Sequence, residues 1–437
     1  MKKLTGLALV FVALAAFVYF YEIAGEEARD KARELEESLF RIEEDAIASL
    51  GITRTGEAPV RLRKSGEGWF LEAPIEASAD SATVDSLLRS IDSANRSKTL
   101  DDPEGQLEAY GLDSPQASLS VGAGEVTKVL ELGNKEYTGS QVYARFEGEQ
   151  VVYLTSASLL TSIEKDLIDW RNKAALTFDL GKTEEIQIER QTDRVELVKR
   201  EGTWLLESPL SGKANGGKVS SLLSSLESAK AETFVTEEAE GLGDYGLLNP
   251  RLIVRVRVTG EESWRQLEVG AKAGGTTDED ATWFARDPQR TPIFTLKQDL
   301  LDDLEQDVWE FRDRDVIDVM QDDVQRLTLK HGDSEILVSR EEYRWLVETP
   351  DDFKGQEAQT YKLWYPIDDI EFESLEDQAR EISDPDVEIN ISLSDGTTRT
   401  YRFKQEGEAY FAEKVESGLT GTIWGEDFAK LKVTPEE

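Results

Sequence analysis

The sequence predicts an α+β protein in which an N-terminal transmembrane helix precedes three repeated modules, each a mainly antiparallel sheet with about two helices. Three observations predict this: an uncharged segment near the N-terminus, an aromatic motif that occurs three times, and short strand-like runs followed by helical patterns. Strands and helices grouped in this way are typical of the α+β class. The chain has 437 residues, which is more than one ordinary domain contains.

The N-terminal segment predicts a membrane anchor. Residues 4–21 carry no charge, and as a helix they would extend about 27 Å, enough to span a bilayer. Two lysines precede the segment and three glutamates follow it, so the positive-inside rule predicts a cytoplasmic N-terminus in the inner membrane and a periplasmic C-terminal bulk. The alternative is a cleaved signal peptide, because residues 13–15 match the small-x-small pattern. We favour the anchor, since the aromatic residues at 17–21 suit a membrane interface.

A short helical stalk is predicted directly after the anchor, over residues 25–45. Its small and apolar residues fall in alternating steps of four and three, at Ala28, Ala32, Leu35, Leu39, Ile42 and Ala46. This is a short heptad seam, which could pair with a second helix or dock on the first module. So short a seam favours docking.

One hexapeptide recurs three times and defines the repeat. The segment from Trp69 to Pro74 returns at 204–209 and at 345–350, each time as Trp, two apolar residues, Glu, a small residue and Pro. The defining residues are Trp69, Glu72, Pro74, Trp204, Glu207, Pro209, Trp345, Glu348 and Pro350. We expect the tryptophans to occupy equivalent core positions on equivalent strands. We expect the glutamates to have a structural role, capping backbone groups beside the proline, rather than a catalytic one.

The spacing of the copies divides the chain into domains. The offset between the first two copies is 135 residues through a shared Tyr-Gly-Leu turn at 110–112 and 245–247. It then becomes 141, which implies a six-residue insertion in a surface loop near 274–280. The predicted domains are a cytoplasmic tip and transmembrane anchor over 1–24, the stalk over 25–45, and modules over 46–176, 177–316 and 317–437.

Within a module, alternating runs predict strands and a 3.6-residue period predicts helices. In the first copy the strands are expected at 47–54, 60–64, 69–72, 117–121, 128–132, 141–146 and 151–154, with helices at 81–94 and 158–170. The third copy keeps the Trp motif but lacks the Tyr-Gly-Leu turn. It is therefore interpreted as a diverged or capping copy.

The anchor, the Trp-x-x-Glu-x-Pro strand, the Tyr-Gly-Leu-x-x-Pro turn and the closing Trp170-Arg171 or Phe311-Arg312 pair together resemble the bacterial domain of unknown function 4340 family. The likeness covers nearly the whole chain, clearly in the first two modules and weakly in the third. The resemblance implies an accessory subunit, because such proteins are often encoded beside an ABC-2 type exporter similar to the gliding-motility transporter. It transfers no catalytic residue, since the family has no assigned activity.

Composition excludes several classes of function. A formal net charge of −39 opposes nucleic-acid binding, because the surface repels phosphates. The absence of cysteine removes disulfides, thiolate nucleophiles and Cys-ligated metals. The acidity itself has two open interpretations, solubility in salty surroundings or recruitment of a basic partner.

Three local motifs are weak candidates for chemistry. His331 is the single histidine and is expected in a solvated turn. Residues 241–246 spell a dinucleotide fingerprint but lack the flanking strand and helix, so a turn is predicted. Residues 181–183 lack the first glycine of a phosphate loop. No catalytic, cofactor-binding or metal-ligating residue is assigned.

The acidic third module provides the candidate partner contact. Tyr361, Trp364 and Tyr365 lie beside the acidic stretch 365–388, and aromatic residues rimmed by one sign of charge are common at protein contacts. Alternatively, these aromatics fill the core of the module. The function expected is a non-enzymatic, membrane-anchored extracytoplasmic accessory subunit of an ABC-2 type transport complex, as scaffold or substrate-handling module. The alternatives are a binding module for an envelope glycan or peptide and, least favoured, a hydrolase.

Overall fold

The computed structural model describes residues 38–66, 68–100, 106–238, 240–376 and 380–432. The predicted anchor and most of the predicted stalk lie outside these residues. No helix within the described ranges has the length and apolar character needed to cross a membrane. The described chain forms three sheets accompanied by short helices, which confirms the α+β class and the three modules.

The first module contains nine strands and four helices. They are β1 (Ser49–Arg54), β2 (Val60–Ser65), β3 (Gly68–Ala73), β4 (Ala77–Ser78), α1 (Ser81–Asp92), β5 (Lys98–Leu100), α2 (Leu107–Tyr110), β6 (Ala117–Ala123), β7 (Val126–Lys135), β8 (Gln141–Phe146), β9 (Val152–Ser156), α3 (Ser158–Ile163) and α4 (Leu167–Trp170). The sheet order is β4-β3-β2-β1-β6-β7-β8-β9-β5.

The second module repeats this order with two described α-helices and two short 3₁₀-helices, Leu180–Lys182 and Val308–Phe311. Its elements are β10 (Thr183–Arg190), β11 (Arg194–Arg200), β12 (Thr203–Ser208), β13 (Gly212–Lys213), α5 (Gly216–Ser228), β14 (Phe234–Thr236), β15 (Leu252–Val258), β16 (Arg265–Gly274), β17 (Thr282–Arg286), β18 (Ile293–Lys297) and α6 (Gln298–Leu304).

The third module has eight strands in the order β21-β20-β19-β23-β24-β25-β26-β22. Its elements are β19 (Val324–His331), β20 (Ser334–Glu341), β21 (Arg344–Thr349), α7 (Thr360–Leu363), α8 (Tyr365–Asp368), β22 (Phe372–Leu375), β23 (Val387–Leu393), β24 (Thr398–Glu406), β25 (Ala409–Lys414), β26 (Leu419–Ile423) and α9 (Gly425–Lys430). Where the other modules add a two-residue edge strand, a bridge between Leu346 and Glu357 takes its place.

Alternating side chains explain why each sheet has one buried face. In β1, Leu50 and Ile52 are buried and their neighbours point the other way. The helix α1 begins at the cap Asp80, whose carboxylate accepts from the Thr83 amide at 2.8 Å. Its buried residues Val84, Leu87, Leu88 and Ile91 follow the helical period and pack on the sheet. Asn215 caps α5 in the same way.

Two predicted helical segments differ from the structure. The helix expected over 158–170 is two short helices, because Asp166 has an extended backbone and the Lys165 carbonyl accepts from Arg54 at 2.7 Å. The stalk expected over 25–45 is described only from residue 38, and residues 38–45 there are not α-helical. Leu39 and Phe40 instead enter the first core, because the Leu39 amide pairs with the Ala94 carbonyl at 2.7 Å.

Each module has its own hydrophobic core. Trp69, Trp204 and Trp345 each stand second in the third strand of their module, and each is 7% exposed. The proline five residues later follows a cis peptide bond in all three copies. The described contacts divide the chain into one compact unit ending at Ala174 and another beginning at Ala175, which holds the second and third modules.

Candidate functional site

The predicted aromatic contact in the third module is only partly exposed. Trp364 is 3% exposed and belongs to the third core, so it is not available to a partner. Tyr365, which begins α8, is 57% exposed. The side chain of Tyr361 lies outside the described residues. Tyr365 is therefore the one predicted contact residue that the described structure places on the surface.

A second exposed aromatic lies near α8. Trp424 precedes α9 and is 53% exposed, and α9 packs against α8. The acids Asp368 and Asp369 end α8. Burial and the neighbouring Asp369 raise the pKa of Asp368. The two helices thus present exposed aromatic rings together with acidic side chains.

The repeated glutamates form ion pairs, which is a structural role different from the predicted backbone cap. Glu72 pairs with Arg63 and Glu207 pairs with Arg200. Glu348 lies 3.8 Å from Arg326. All six side chains are largely exposed, and exposed pairs contribute at most about 1 kcal/mol. The three glutamates therefore lie at the surface of their modules.

In the first two modules the Tyr-Gly-Leu turn packs against the same position of the sheet. Gly111 and Gly246 adopt a left-handed backbone, with φ of 67° and 70°, which favours glycine. Leu112 and Leu247, the next residues, are buried. The turn approaches the sheet so closely that a Cβ on Gly133 or Gly270 would overlap the carbonyl oxygen of the turn tyrosine.

Two side-chain contacts fasten the turn in the first module. Tyr110 stacks on Tyr143 with ring centroids 4.4 Å apart. Arg145 pairs with Glu131 at 2.6 Å and also donates to the Leu112 carbonyl at 3.2 Å. The second module repeats both contacts. Tyr245 lies against Phe284 with ring centroids 5.0 Å apart, and Arg286 pairs with Glu268 at 2.7 Å.

The third module keeps this position with different residues. Ile382 is buried and stands three residues before Pro385, as Leu112 and Leu247 do before their prolines. Arg380 lies over the Phe411 ring at 4.6 Å, where the other modules place tyrosine. This correspondence was not predicted from the sequence. The Ile-x-x-Pro spacing before a strand was the available signal.

The buried ion pair beside the turn is reversed in the third module. The register pairs are Glu131 with Arg145, Glu268 with Arg286, and Arg402 with Glu413. Glu413 is 4% exposed and accepts from the Ile382 amide at 2.9 Å, and Arg402 donates to the Ile382 carbonyl at 3.4 Å. The pair therefore satisfies the backbone of the segment that replaces the Tyr-Gly-Leu turn.

A cluster of charges lies where the second module joins the third. The Asp313 amide donates to the Lys213 carbonyl at 2.9 Å, and the Val316 amide donates to the Ile370 carbonyl at 2.8 Å. Lys213 also pairs with the Asp313 carboxylate at 2.5 Å. Burial and the Asp313 carboxylate raise the pKa of Asp315 to about 6. The segment that connects the two modules is thus hydrogen-bonded to each of them. It contains a carboxyl group, that of Asp315, which titrates close to neutrality.

The structure also gives the positions of the weaker candidates from the sequence. His331 ends β19 at a hairpin turn and is half-buried. Residues 241–246 form a turn without a following helix, as predicted. The insertion near 274–280 is an exposed loop, in which the Asp280 carboxylate accepts from the Thr276 and Thr277 amides. In the described ranges, no group of three or more His, Asp or Glu side chains is arranged to hold a metal ion.

Comparison with known proteins gives one match. A family model described as "Domain of unknown function (DUF4340)" matches residues 69–210 and 204–388. No curated protein matches the chain, and no solved structure matches it. The two matched segments begin at the first two Trp motifs, and the second ends in the strand that follows the Ile382 segment.

Proposed function

The chain belongs to the DUF4340 family, and we propose that it is a non-enzymatic accessory subunit of an ABC-2 type transport complex. In this proposal residues 4–21 anchor it in the cytoplasmic membrane and the modules lie outside the cytoplasm. The observation that carries the proposal is that the repeated residues serve the fold. The tryptophans fill cores, the glutamates pair at the surface and the turn is fastened to the sheet.

Repetition of this kind favours a scaffold over an enzyme. An enzyme concentrates convergent polar groups in one pocket, whereas a repeat protein presents a similar surface on each of its copies. The contact surface that we propose consists of Tyr365 and Trp424 with the acids of α8 and α9, and its partner would carry basic residues. Attraction between exposed charges is screened by salt, so the complex should weaken as ionic strength rises.

Affinity purification from native membranes tests the proposal. The full chain carrying Tyr365→Ala and Trp424→Ala should lose the permease and its extracytoplasmic subunit, while the wild type retains them. The control is Tyr343→Ala with Tyr137→Ala, since these side chains are 92% and 99% exposed and lie on other turns. Retention of the transport subunits by the Tyr365 and Trp424 variant would exclude this surface. Absence of any transport subunit from the wild-type preparation would exclude the accessory role.

A reporter fused to the C-terminus tests the topology. A reporter that is active only outside the cytoplasm should be active, and the protein should remain in the membrane fraction. A reporter active only in the cytoplasm, or a mature N-terminus near residue 16, would contradict the anchored arrangement.

A further inference from the structure

The second module contains a groove along the helix α5. Its larger part is a cavity of about 490 Å³, within the range of roughly 300–1,000 Å³ typical of ligand pockets. A smaller part of about 250 Å³ adjoins the C-terminal half of α5. Both parts are lined by Asp303 of α6, so they form one groove between these two helices.

Most of the residues that line the larger part are polar. The polar residues are Asn215, Lys218, Ser221, Asp303 and Gln306, and the apolar ones are Leu222 and Phe311. Leu222 and Phe311 are 2% and 1% exposed, so they lie beneath the polar side chains and present almost no surface to a ligand. Asn215, Asp303 and Gln306 are partly exposed, and Lys218 and Ser221 are exposed. The side chains that offer surface to a ligand are therefore the polar ones.

The equivalent helices of the first module are closed against each other. There the Ser90 and Ser162 hydroxyls lie 2.6 Å apart and join α1 to α3. The offsets of 135 and 141 residues place Ser225 and Asp303 at these positions in the second module. Both of these residues line the groove instead. At these two positions the second module therefore differs from the first.

Two further replacements add room. Trp170 of the first module corresponds to Phe311, which has a smaller ring. Ala82 corresponds to Gly217, and beyond the Asn215 carboxamide oxygen at 3.3 Å nothing approaches the place of its Cβ. The side chains that open the groove are therefore the ones that differ between otherwise matching modules.

The charges of the groove are balanced. Lys218 lies 3.5 Å from Glu310, and Gln306 donates to Asp303 at 3.4 Å. A site built for an anion would carry excess positive charge, which this one does not. Amide, hydroxyl, ammonium and carboxylate groups together can donate to and accept from the same ligand. Hydroxyl groups, which both donate and accept, fit such a set.

We propose that this groove binds a neutral saccharide. The ring hydroxyls would bond to Asp303, Gln306 and Lys218. The inference goes beyond the accessory role and does not depend on the surface around Tyr365, which belongs to another module.

Titration with defined trisaccharides tests this inference. The full-length protein would be titrated with maltotriose, cellotriose and triacetylchitotriose, up to about 10 mM, a range that detects weak binding. At least one should bind. Asp303→Ser should weaken it about tenfold, because a hydrogen bond to a charged group is lost. The matched control is Ser162→Asp in the first module, which should leave the affinity unchanged.

A blocking variant separates the groove from effects on folding. Ser221→Trp should abolish binding by filling the groove, whereas Ser224→Trp, at another exposed position on α5, should not. Failure of every trisaccharide to bind the wild type would overturn the proposal, as would binding that is unchanged in Ser221→Trp. Binding of a neutral hexapeptide but of no sugar would also overturn it. Saccharide binding without capture of transport subunits would overturn only the accessory role.

Discussion

The second and third modules have the same sheet frame but fasten the same segment to it in different ways. In the second, Gly270 lets the backbone of the Tyr-Gly-Leu turn approach the sheet directly. In the third, the equivalent position is Lys404, whose ammonium reaches the Asp384 carbonyl at 2.5 Å and the Asp384 carboxylate at 3.1 Å. A backbone contact in one copy has become a side-chain contact in the other.

This comparison shows which parts of the module are constrained. The buried Leu or Ile three residues before proline is kept in all copies. In the third module the tyrosine of the turn and the glycine of the sheet are replaced by other residues, and the two charges of the ion pair are exchanged. The fold therefore requires an anchored apolar side chain and satisfied backbone groups at this place, and several chemistries meet that requirement.

The largest effect is expected at the tryptophans common to all modules. Trp204→Ala should lower the free energy of unfolding of the second module by about 3 to 5 kcal/mol, because a 7% exposed indole leaves a cavity. Urea denaturation measures this. Trp424→Ala, which removes a half-exposed ring, serves as control and should cost far less. Equal losses would contradict a shared core position.

The next effect separates the two ways of fastening the segment. Gly270→Ala should cost about 2 to 3 kcal/mol, because the added methyl group meets backbone atoms of the turn. Lys404→Ala at the equivalent position should cost much less than Gly270→Ala, since it removes partly exposed contacts. Thermal unfolding of both variants gives the comparison. A Gly270→Ala variant as stable as the wild type would show that the close approach is not required.

A smaller effect is expected at the reversed ion pair. Glu413→Gln should destabilise the third module by about 1 to 3 kcal/mol, because the buried Ile382 amide loses a charged acceptor and Arg402 loses an opposite charge 3.9 Å away. Exchanging the two residues, as Arg402→Glu with Glu413→Arg, restores the order found in the other modules and should recover part of this loss. A double-mutant cycle measures the coupling. Zero coupling would mean that the pair does not act as a unit.

The smallest effect concerns pH at the junction of these two modules. The pKa of Asp315 is raised by burial, by Asp313 and by Glu371, against the opposing effect of Lys213. The folded state holds the Asp315 proton more tightly than the unfolded state does. The stability that this proton contributes is therefore fully present below about pH 4 and is lost as pH rises through 6. Asp315→Asn should match the wild type at pH 4 and exceed its stability by about 1 kcal/mol at pH 7, after allowance for solvent screening.

Asp318→Asn is the control with the opposite sign. Burial alone would raise the pKa of Asp318, but the Lys414 ammonium and the Tyr401 hydroxyl overcome it and lower the pKa. This stability is present at neutral pH and is lost as pH falls through the folded pKa. The Asp318→Asn variant should thus be less stable than wild type at pH 7. Parallel pH profiles for the two variants would contradict the assignment.

The sequence predicted the strands and the long helix of the first module better than the segments that connect them. The Trp motif, the helix Ser81–Asp92 and most strands were found because their periods are strong and the copies keep register. The break at Asp166 was missed, since no glycine or proline marks it. Trp364 follows the alternative that the sequence left open, a place in the core, because sequence alone cannot distinguish a core indole from an exposed one.

The sites of interest could not be found from one copy alone. Glu413 and Arg402 stand eleven positions apart among many charged residues, and only the strand register shows that they meet. The groove depends on Asp303 and Ser225 failing to close as Ser162 and Ser90 do. Both features are differences between aligned modules, and they become visible only when the contacts of the modules are compared.

Hydrogen exchange at Ile382 tests the common frame most directly. The Ile382 amide donates to a buried carboxylate of Glu413, so it should exchange slowly in the wild type and rapidly in Glu413→Ala. The Leu247 amide, which donates to the Leu242 carbonyl within its own turn, should be protected in both proteins. Mass spectrometry of the labelled peptides measures the two together. Rapid exchange of Ile382 in the wild type would show that the third module has lost this anchored position and does not share the frame.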